Sequence, residues 1–240
     1  MIFSFKKKNI DAPKILDEIQ KEVYVVLKPL GFKKYGRTFH RFVSKDISQI
    51  IVFHLGQAYR NETQFLTVHL GIRVPECNEI YSPVKEKKYY HDYECNIRSS
   101  LGNIENRDIS CYDLTKSLKP IIDDILRQIT NIVIPVYNLL DSREKILDNI
   151  QNYPEFDILR NPIVKYRENA VIHMHMGDVE KANISYNESI ELLIDRVKSD
   201  DSAFGMKRAW VINSLEIANK YGFVVTEKNS KWIENFLQNG

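Results

Sequence analysis

The first third of the chain changes from a helical to a strand-like pattern of apolar positions. Apolar residues recur every three or four positions between residues 11 and 30, and a Pro-Leu-Gly sequence closes the segment, which predicts an amphipathic helix. Stretches rich in Phe, Ile, Val and Thr follow at 35–43, 48–58 and 64–74, with polar turns between them. We therefore expect a three-stranded antiparallel meander.

Alternation within the second and third strands predicts one apolar face and one mixed face. Alternate residues form the apolar face of the third strand: Leu66, Val68, Leu70 and Ile72. The opposite face carries Thr67, His69 and Arg73. Ile50 and Val52 lie on the corresponding face of the second strand, so this mixed face is expected to be covered near one end.

The rest of the pattern predicts one more strand and then helices. A fourth strand is expected at 93–99, after a lysine-rich loop at 83–92, and a helical stripe from Leu118 is expected to end at Pro135. Further helices are predicted at 142–150, 163–176, 179–198, 205–221 and 228–237. The predicted fold class is α+β: an antiparallel β-meander sheet packed by helices in a domain of residues 1–141, followed by an all-α helical domain of residues 142–240.

Charge, cysteine content and apolar run length disfavour several classes of protein. The 34 basic and 32 acidic residues alternate along the chain and leave a net charge of +2, so nucleic-acid binding is disfavoured. Cys77, Cys95 and Cys111 lack a CxxC spacing, which predicts thiols in a reducing, cytoplasmic compartment rather than disulfides or a zinc knuckle. The longest apolar run, at 132–140, is shorter than the roughly 20 residues of a membrane span. We expect no membrane association.

Four spaced segments of the first half resemble a known family. They are LGFKKYGRTFHRF at 30–42, FHLGQ at 53–57, VHLGI at 68–72 and CNIRSSLG at 95–102. Their order and spacing resemble the uncharacterised bacterial domain-of-unknown-function 4304 family over residues 10–130. The resemblance implies a fold and an order of elements, and it implies no activity, because a fold alone does not define chemistry.

The helical half contains one repeat-like pattern. The spacing of small and aromatic residues resembles a tetratricopeptide helix pair: Tyr166, Ala170, Gly177, Ala182 and Tyr186. A single copy does not make an array. An ordinary helical hairpin with small residues at the contact is therefore the alternative.

The candidate chemistry lies on the mixed sheet face. Strand pairing could bring His54 and His69 together as a general acid and base or as a metal site. Candidate binding residues are cationic or can become so: His40, Arg37, Arg41, Arg73 and Arg98. No Asp or Glu lies at a matched position in the strands to orient an imidazole, so the alternative is a partly wetted sheet face whose histidines contact neighbours or water. We expect no cofactor and no metal.

Familiar catalytic motifs are missing from the sequence. It contains no Walker A loop, GxGxxG, GxSxG, HExxH or CxxC. The leading hypothesis is therefore a bacterial cytosolic protein that acts as a non-catalytic binding or protein-interaction module, with another protein as partner and an open oligomeric state. The alternative is a small hydrolase or nuclease-like enzyme that uses the His54 and His69 face.

Overall fold

The chain divides into two compact units. The structure is a computed structural model, and it describes residues 10–57, 64–81, 85–105, 111–157 and 160–238. The first unit comprises Met1–Pro75 and Val84–Leu159, and the second comprises Glu76–Pro83 and Arg160–Gly240. The domain boundary expected near residue 142 stays a prediction. In the structure, the short helix that follows this point belongs to the first unit.

An antiparallel sheet forms the centre of the first unit. Its strands are β1 (Lys33–Tyr35), β2 (Thr38–Phe42), β3 (Ser48–Gln57), β4 (Gln64–Arg73), β5 (Ile97–Ser100) and β6 (Tyr112–Asp113). Strands β1 to β5 are adjacent in chain order, and β6 also pairs with β4. The predicted meander and the α+β class are confirmed. The first predicted strand, at 35–43, corresponds to β2. The short strand β1 precedes it across a turn in which Gly36 adopts a left-handed φ of 57°.

The helices that lie wholly in the first unit are α1 (Ala12–Leu27), α3 (Leu101–Ile104), α4 (Leu118–Gln128), α5 (Ile134–Leu139) and α6 (Arg143–Asn149). Helix α2 (Pro75–Glu79) begins at the end of the segment Met1–Pro75, and its other residues belong to the second unit. The prediction that a helix ends at Pro135 is wrong, since a π-helical stretch, Ile129–Val133, joins α4 to α5 without a break. The wide π-turn just before Pro135 accommodates a ring that would otherwise crowd the preceding turn.

Both faces of the sheet are covered. On the first face Phe39 packs against Tyr24 of α1 and against Phe53, with ring centroids 5.7 and 5.6 Å apart. On the second face a small core joins two strand residues to the segment before β5: Ile50, Val52, Tyr90 and Cys95. The prediction that this second face is covered at one end is confirmed, and the lysine-rich segment supplies the cover.

The second unit is built mainly from four helices: α7 (Pro162–His175), α8 (Val179–Ser199), α9 (Phe204–Tyr221) and α10 (Glu227–Gln238). Gly177, with a φ of 82°, makes the turn between α7 and α8, and the small side chains of Ala170 and Ala182 are fully buried. The predicted helical segments are confirmed, while the tetratricopeptide likeness stays a resemblance. Among the described residues, none of the helices combines the length and apolar character that a membrane span requires.

Candidate functional site

His54 and His69 meet on the second face of the sheet. In the β3–β4 register His54 lies opposite Thr67 and His69 lies opposite Val52, which makes the two histidines diagonal neighbours on one face. Their ring centroids are 4.4 Å apart. Both imidazoles remain accessible, with 43% and 39% of the side chain exposed. The pairing that the sequence suggested is therefore present in the structure.

A carboxylate bridges the two imidazoles. Oδ2 of Asp92 lies 2.7 Å from Nδ1 of His69, and Oδ1 of Asp92 lies 3.3 Å from Nε2 of His54. The Asp92 side chain is largely buried, with 13% exposed. The donor atoms of the three residues all lie within 4.8 Å of one another. We call His54, His69 and Asp92 the histidine–aspartate cluster.

Asp92 reaches the cluster from a short turn outside the strands. It begins the 3₁₀ turn Asp92–Glu94, which His91 caps while the Glu94 carboxylate accepts the His91 backbone N–H at 3.0 Å. Lys87 Nζ contacts the same carboxylate at 2.5 Å. The Asn96 side chain then ties the end of this segment to β4 by accepting the Val74 N–H at 2.9 Å. These local bonds fix the position of Asp92 above the sheet.

The protonation states of the cluster suit a cation ligand set. Burial alone would raise the pKa of Asp92, but the hydrogen bond from His69 and the neighbouring imidazoles outweigh it and hold that pKa at about 2. Burial lowers the pKa of His54, and the Asp92 carboxylate only partly offsets this effect. At neutral pH the site therefore presents an ionised carboxylate and a neutral His54 imidazole.

Two buried atoms of the cluster lie close together but are poorly aligned for a hydrogen bond. His54 Nε2 and Asp92 Oδ1 are both inaccessible to solvent and 3.3 Å apart, and neither makes a well-aligned hydrogen bond to any described residue. Such atoms are costly to bury unless something satisfies them. Imidazole nitrogen and carboxylate oxygen are also ligands of Zn²⁺ and related divalent ions. The donor set thus fits a metal ion, contrary to our expectation from the strands alone.

His40 and Arg73 share the sheet face but form an aromatic layer rather than part of the cluster. The Arg73 guanidinium lies 3.9 Å from the centroid of the Tyr90 ring, and the His40 ring lies 5.9 Å from the same centroid. Both side chains are buried. Burial, and then the charge of Arg73, lowers the pKa of His40 to about 4. His40 is therefore a neutral core residue at neutral pH.

The remaining candidate arginines are dispersed. Arg41 lies on the opposite sheet face, where its guanidinium donates to Gln49 Oε1 at 2.8 Å and to Asn138 Oδ1 at 2.9 Å. Arg37 is exposed beside the β1–β2 turn. Arg98 lies on β5 opposite Gly71, on the same face as the histidines. These three arginines therefore lie at separate places on the sheet.

Sequence reasoning missed Asp92 because it considered only acidic residues within strands. The lysines around Asp92 are typical of a solvated loop, yet the same segment contains Tyr89, Tyr90 and Cys95, aromatic and apolar residues that such a loop does not need. Tyr90 and Cys95 are buried against the second sheet face. Aromatic residues on both sides of a carboxylate were the available signal that this segment folds over the histidines.

The comparison with protein families confirms the resemblance seen in the sequence. Residues 23–139 match the family described as Domain of unknown function (DUF4304). The matched part is a little under half of the chain. It contains the sheet and all three residues of the histidine–aspartate cluster. No curated protein and no solved structure shows significant similarity to the chain.

Proposed function

We propose that the DUF4304 region is a metal-dependent hydrolase whose divalent ion is held by the histidine–aspartate cluster. One observation carries the proposal. His54 Nε2 and Asp92 Oδ1 are buried, make no well-aligned hydrogen bond to any described residue, and face each other at 3.3 Å beside a third donor, His69. A divalent cation would satisfy both atoms and balance the carboxylate charge.

The ligand set indicates which ions and which chemistry to expect. Two imidazoles and one carboxylate favour Zn²⁺ and neighbouring first-row ions over Mg²⁺ or Ca²⁺, which prefer oxygen ligands. Three protein ligands leave a coordination position for water, and such a water is a nucleophile near neutral pH. Because His54 and His69 are partly exposed, a substrate can approach this position from solvent.

Calorimetric titration of the purified, chelator-treated full chain with ZnCl₂ tests the metal site. The wild-type protein should bind one ion at the cluster, and Asp92→Asn should weaken binding at least tenfold, since the amide retains the shape but loses the charge. Asp123→Asn is the matched control, because it makes the same change on the exposed part of α4. Equal zinc affinity in Asp92→Asn and Asp123→Asn would eliminate the site.

The hydrolase activity requires a separate test. We expect the zinc-loaded protein to cleave members of a panel of activated carboxylic and phosphate esters, and His54→Gln to lose that activity while remaining folded. The Asp123→Asn variant should retain it. Turnover that survives both the chelator and His54→Gln would show that the cluster is not the catalytic site.

A protein-interaction role of the second unit is a second candidate. Large apolar side chains are exposed on its helices and in the turn between α9 and α10: Val179, Ile184, Met206 and Val224 are each more than half exposed. Such a surface suits a protein partner, as expected from the resemblance to a protein-binding repeat. A tagged full chain should then retain one partner at a fixed ratio. A strictly monomeric protein that retains no partner would contradict this role. The bacterial, cytoplasmic setting stays a prediction.

A further inference from the structure

The second unit contains a cavity of about 220 Å³ among α7, α8 and α9. Ile163, Leu193 and Trp210 contribute apolar wall, and Arg167 and Arg196 contribute positive charge. A water molecule takes up roughly 30 Å³ of the liquid, so the cavity has room for several waters or one small organic molecule. Apolar walls with a few polar groups are typical of small-molecule sites.

Arg167 is a buried cation without a matching anion in the part of the chain that the structure describes. Its side chain is 7% exposed, and its polar contacts are uncharged at neutral pH: Nη2 donates to Ser214 Oγ at 3.0 Å, and the Tyr81 phenol is a further neighbour. Nε is buried and has no hydrogen-bond partner among the described residues. No carboxylate of the described residues lies within ion-pair distance of the Arg167 guanidinium. Buried charges are normally paired, since an uncompensated one is costly.

A neighbouring arginine shows the ordinary arrangement. Arg160 Nη1 lies 2.8 Å from Glu168 Oε2, and both side chains are almost fully buried. The second unit therefore supplies a carboxylate to one buried guanidinium and none, among the described residues, to the other. Arg167 differs from Arg160 in lining the cavity.

Two further features make the cavity electropositive. The Arg196 guanidinium lies 4.6 Å from the centroid of the Trp210 ring, and its Nε is 4.0 Å from Asp200, at the limit of an ion pair. The cavity also borders the first turn of α7, where Asn161 caps the helix. The positive end of a 14-residue helix favours an anion nearby.

We propose that this cavity binds a small organic oxyanion. Its carboxylate or phosphate group would pair with Arg167, near the N-terminal end of α7, and its apolar body would pack on Ile163, Leu193 and Trp210. Arg196, at the exposed side of the cavity, would neutralise negative charge that Arg167 leaves on the anion. The site lies wholly in the second unit and is independent of the metal proposed for the first.

Probe molecules that differ only in the charged group test this proposal on the full chain. Benzoate and phenyl phosphate carry the anion, and benzyl alcohol is the uncharged analogue. Ligand-detected NMR should show saturable binding of at least one anion with millimolar or tighter affinity, and binding of the alcohol at least tenfold weaker. A change in tryptophan fluorescence on addition of the anion gives a second measure of binding. Trp210→Phe should remove the part of that change that comes from the cavity wall.

Substitutions locate the binding. Arg167→Met should weaken binding of the anion at least tenfold, whereas the exposed Arg208→Met is a matched control that should leave it unchanged. Should Arg167→Met fail to fold, Arg196→Met replaces it, because that side chain is half exposed and its loss should still weaken the anion severalfold.

A wider panel adds sulfate, phosphate and citrate to benzoate and phenyl phosphate, all at constant ionic strength. The proposal is overturned if none of these anions shifts the melting temperature or the fluorescence of Trp210. Equal binding of benzoate and benzyl alcohol would equally overturn it. That outcome would identify an apolar cavity rather than an anion site.

Discussion

Removing the hydroxyl of Tyr137 should destabilise the sheet, because this buried hydroxyl is bonded to the backbone of two strands. Tyr137 projects from α5, is fully buried, and places Oη within the β3–β4 ladder. Oη accepts the Gly71 N–H at 3.0 Å and donates to the Ile50 carbonyl oxygen at 2.7 Å. Gly71 and Ile50 are register partners, so one side chain joins two strands. Burial also raises the pKa of Tyr137 far above its usual range, so the hydroxyl keeps its proton.

The magnitude follows from those two hydrogen bonds. Tyr137→Phe keeps the ring and its packing, so it creates almost no cavity. It leaves the buried Gly71 N–H without this acceptor and the buried Ile50 carbonyl oxygen without this donor, and each loss should lower the free energy of unfolding by about 1 kcal/mol or more. We expect the free energy of unfolding of the first unit to fall by about 2–3 kcal/mol, a large share of the 5–15 kcal/mol typical of a domain.

Hydrogen exchange of the β3 and β4 amides is the appropriate assay. Both tryptophans, Trp210 and Trp232, lie in the second unit, so fluorescence does not follow the sheet. Tyr93→Phe is the control, because 67% of that residue is exposed and its hydroxyl has little to lose. A loss below 0.5 kcal/mol in Tyr137→Phe, equal to the scatter of surface substitutions, would refute the reasoning.

Two further predictions concern the same sheet. Burial holds the pKa of His40 at about 4, against 6.5 for an exposed imidazole, so the unfolded chain binds the proton first as the pH falls from 7 to 4. Wild-type protein should therefore lose about 3 kcal/mol more stability over this interval than His40→Gln, as measured by urea unfolding at each pH; equal losses would contradict the buried, neutral His40. Gly71→Ala would place a methyl group 2.4 Å from Cys95 Sγ and should cost about 1–3 kcal/mol, part of which Cys95→Ala should restore. Strictly additive losses in the double variant would show that the two side chains do not meet.

The sequence predicted the parts of the fold that depend on local periodicity. Alternation placed His54 and His69 on the face opposite the apolar stripe of β4, and the register brings them together as diagonal neighbours. Helical periodicity located the helices of the second unit. Both patterns are repetitive and short-range, so they are visible without knowledge of tertiary contacts.

What the sequence did not predict depends on contacts between distant segments. Asp92 lies beside the histidines in a segment whose Tyr90 and Cys95 are buried against Ile50 and Val52. Such a fold-back leaves no periodic signal. The continuation of the helix past Pro135 likewise depends on a π-turn, which local propensity does not show. The place of a residue within a helix or strand was predictable from the sequence. The packing of a loop against the second face of the sheet was not.

The central claim is that the histidine–aspartate cluster holds a divalent metal ion. Crystals of the wild-type protein soaked in ZnCl₂, with diffraction data recorded on both sides of the zinc absorption edge, test it most directly. The account predicts an anomalous peak about 2.0–2.2 Å from a ring nitrogen of His54, a ring nitrogen of His69 and a carboxylate oxygen of Asp92. An anomalous map with no peak at this cluster, from crystals that show zinc at other sites, would contradict it.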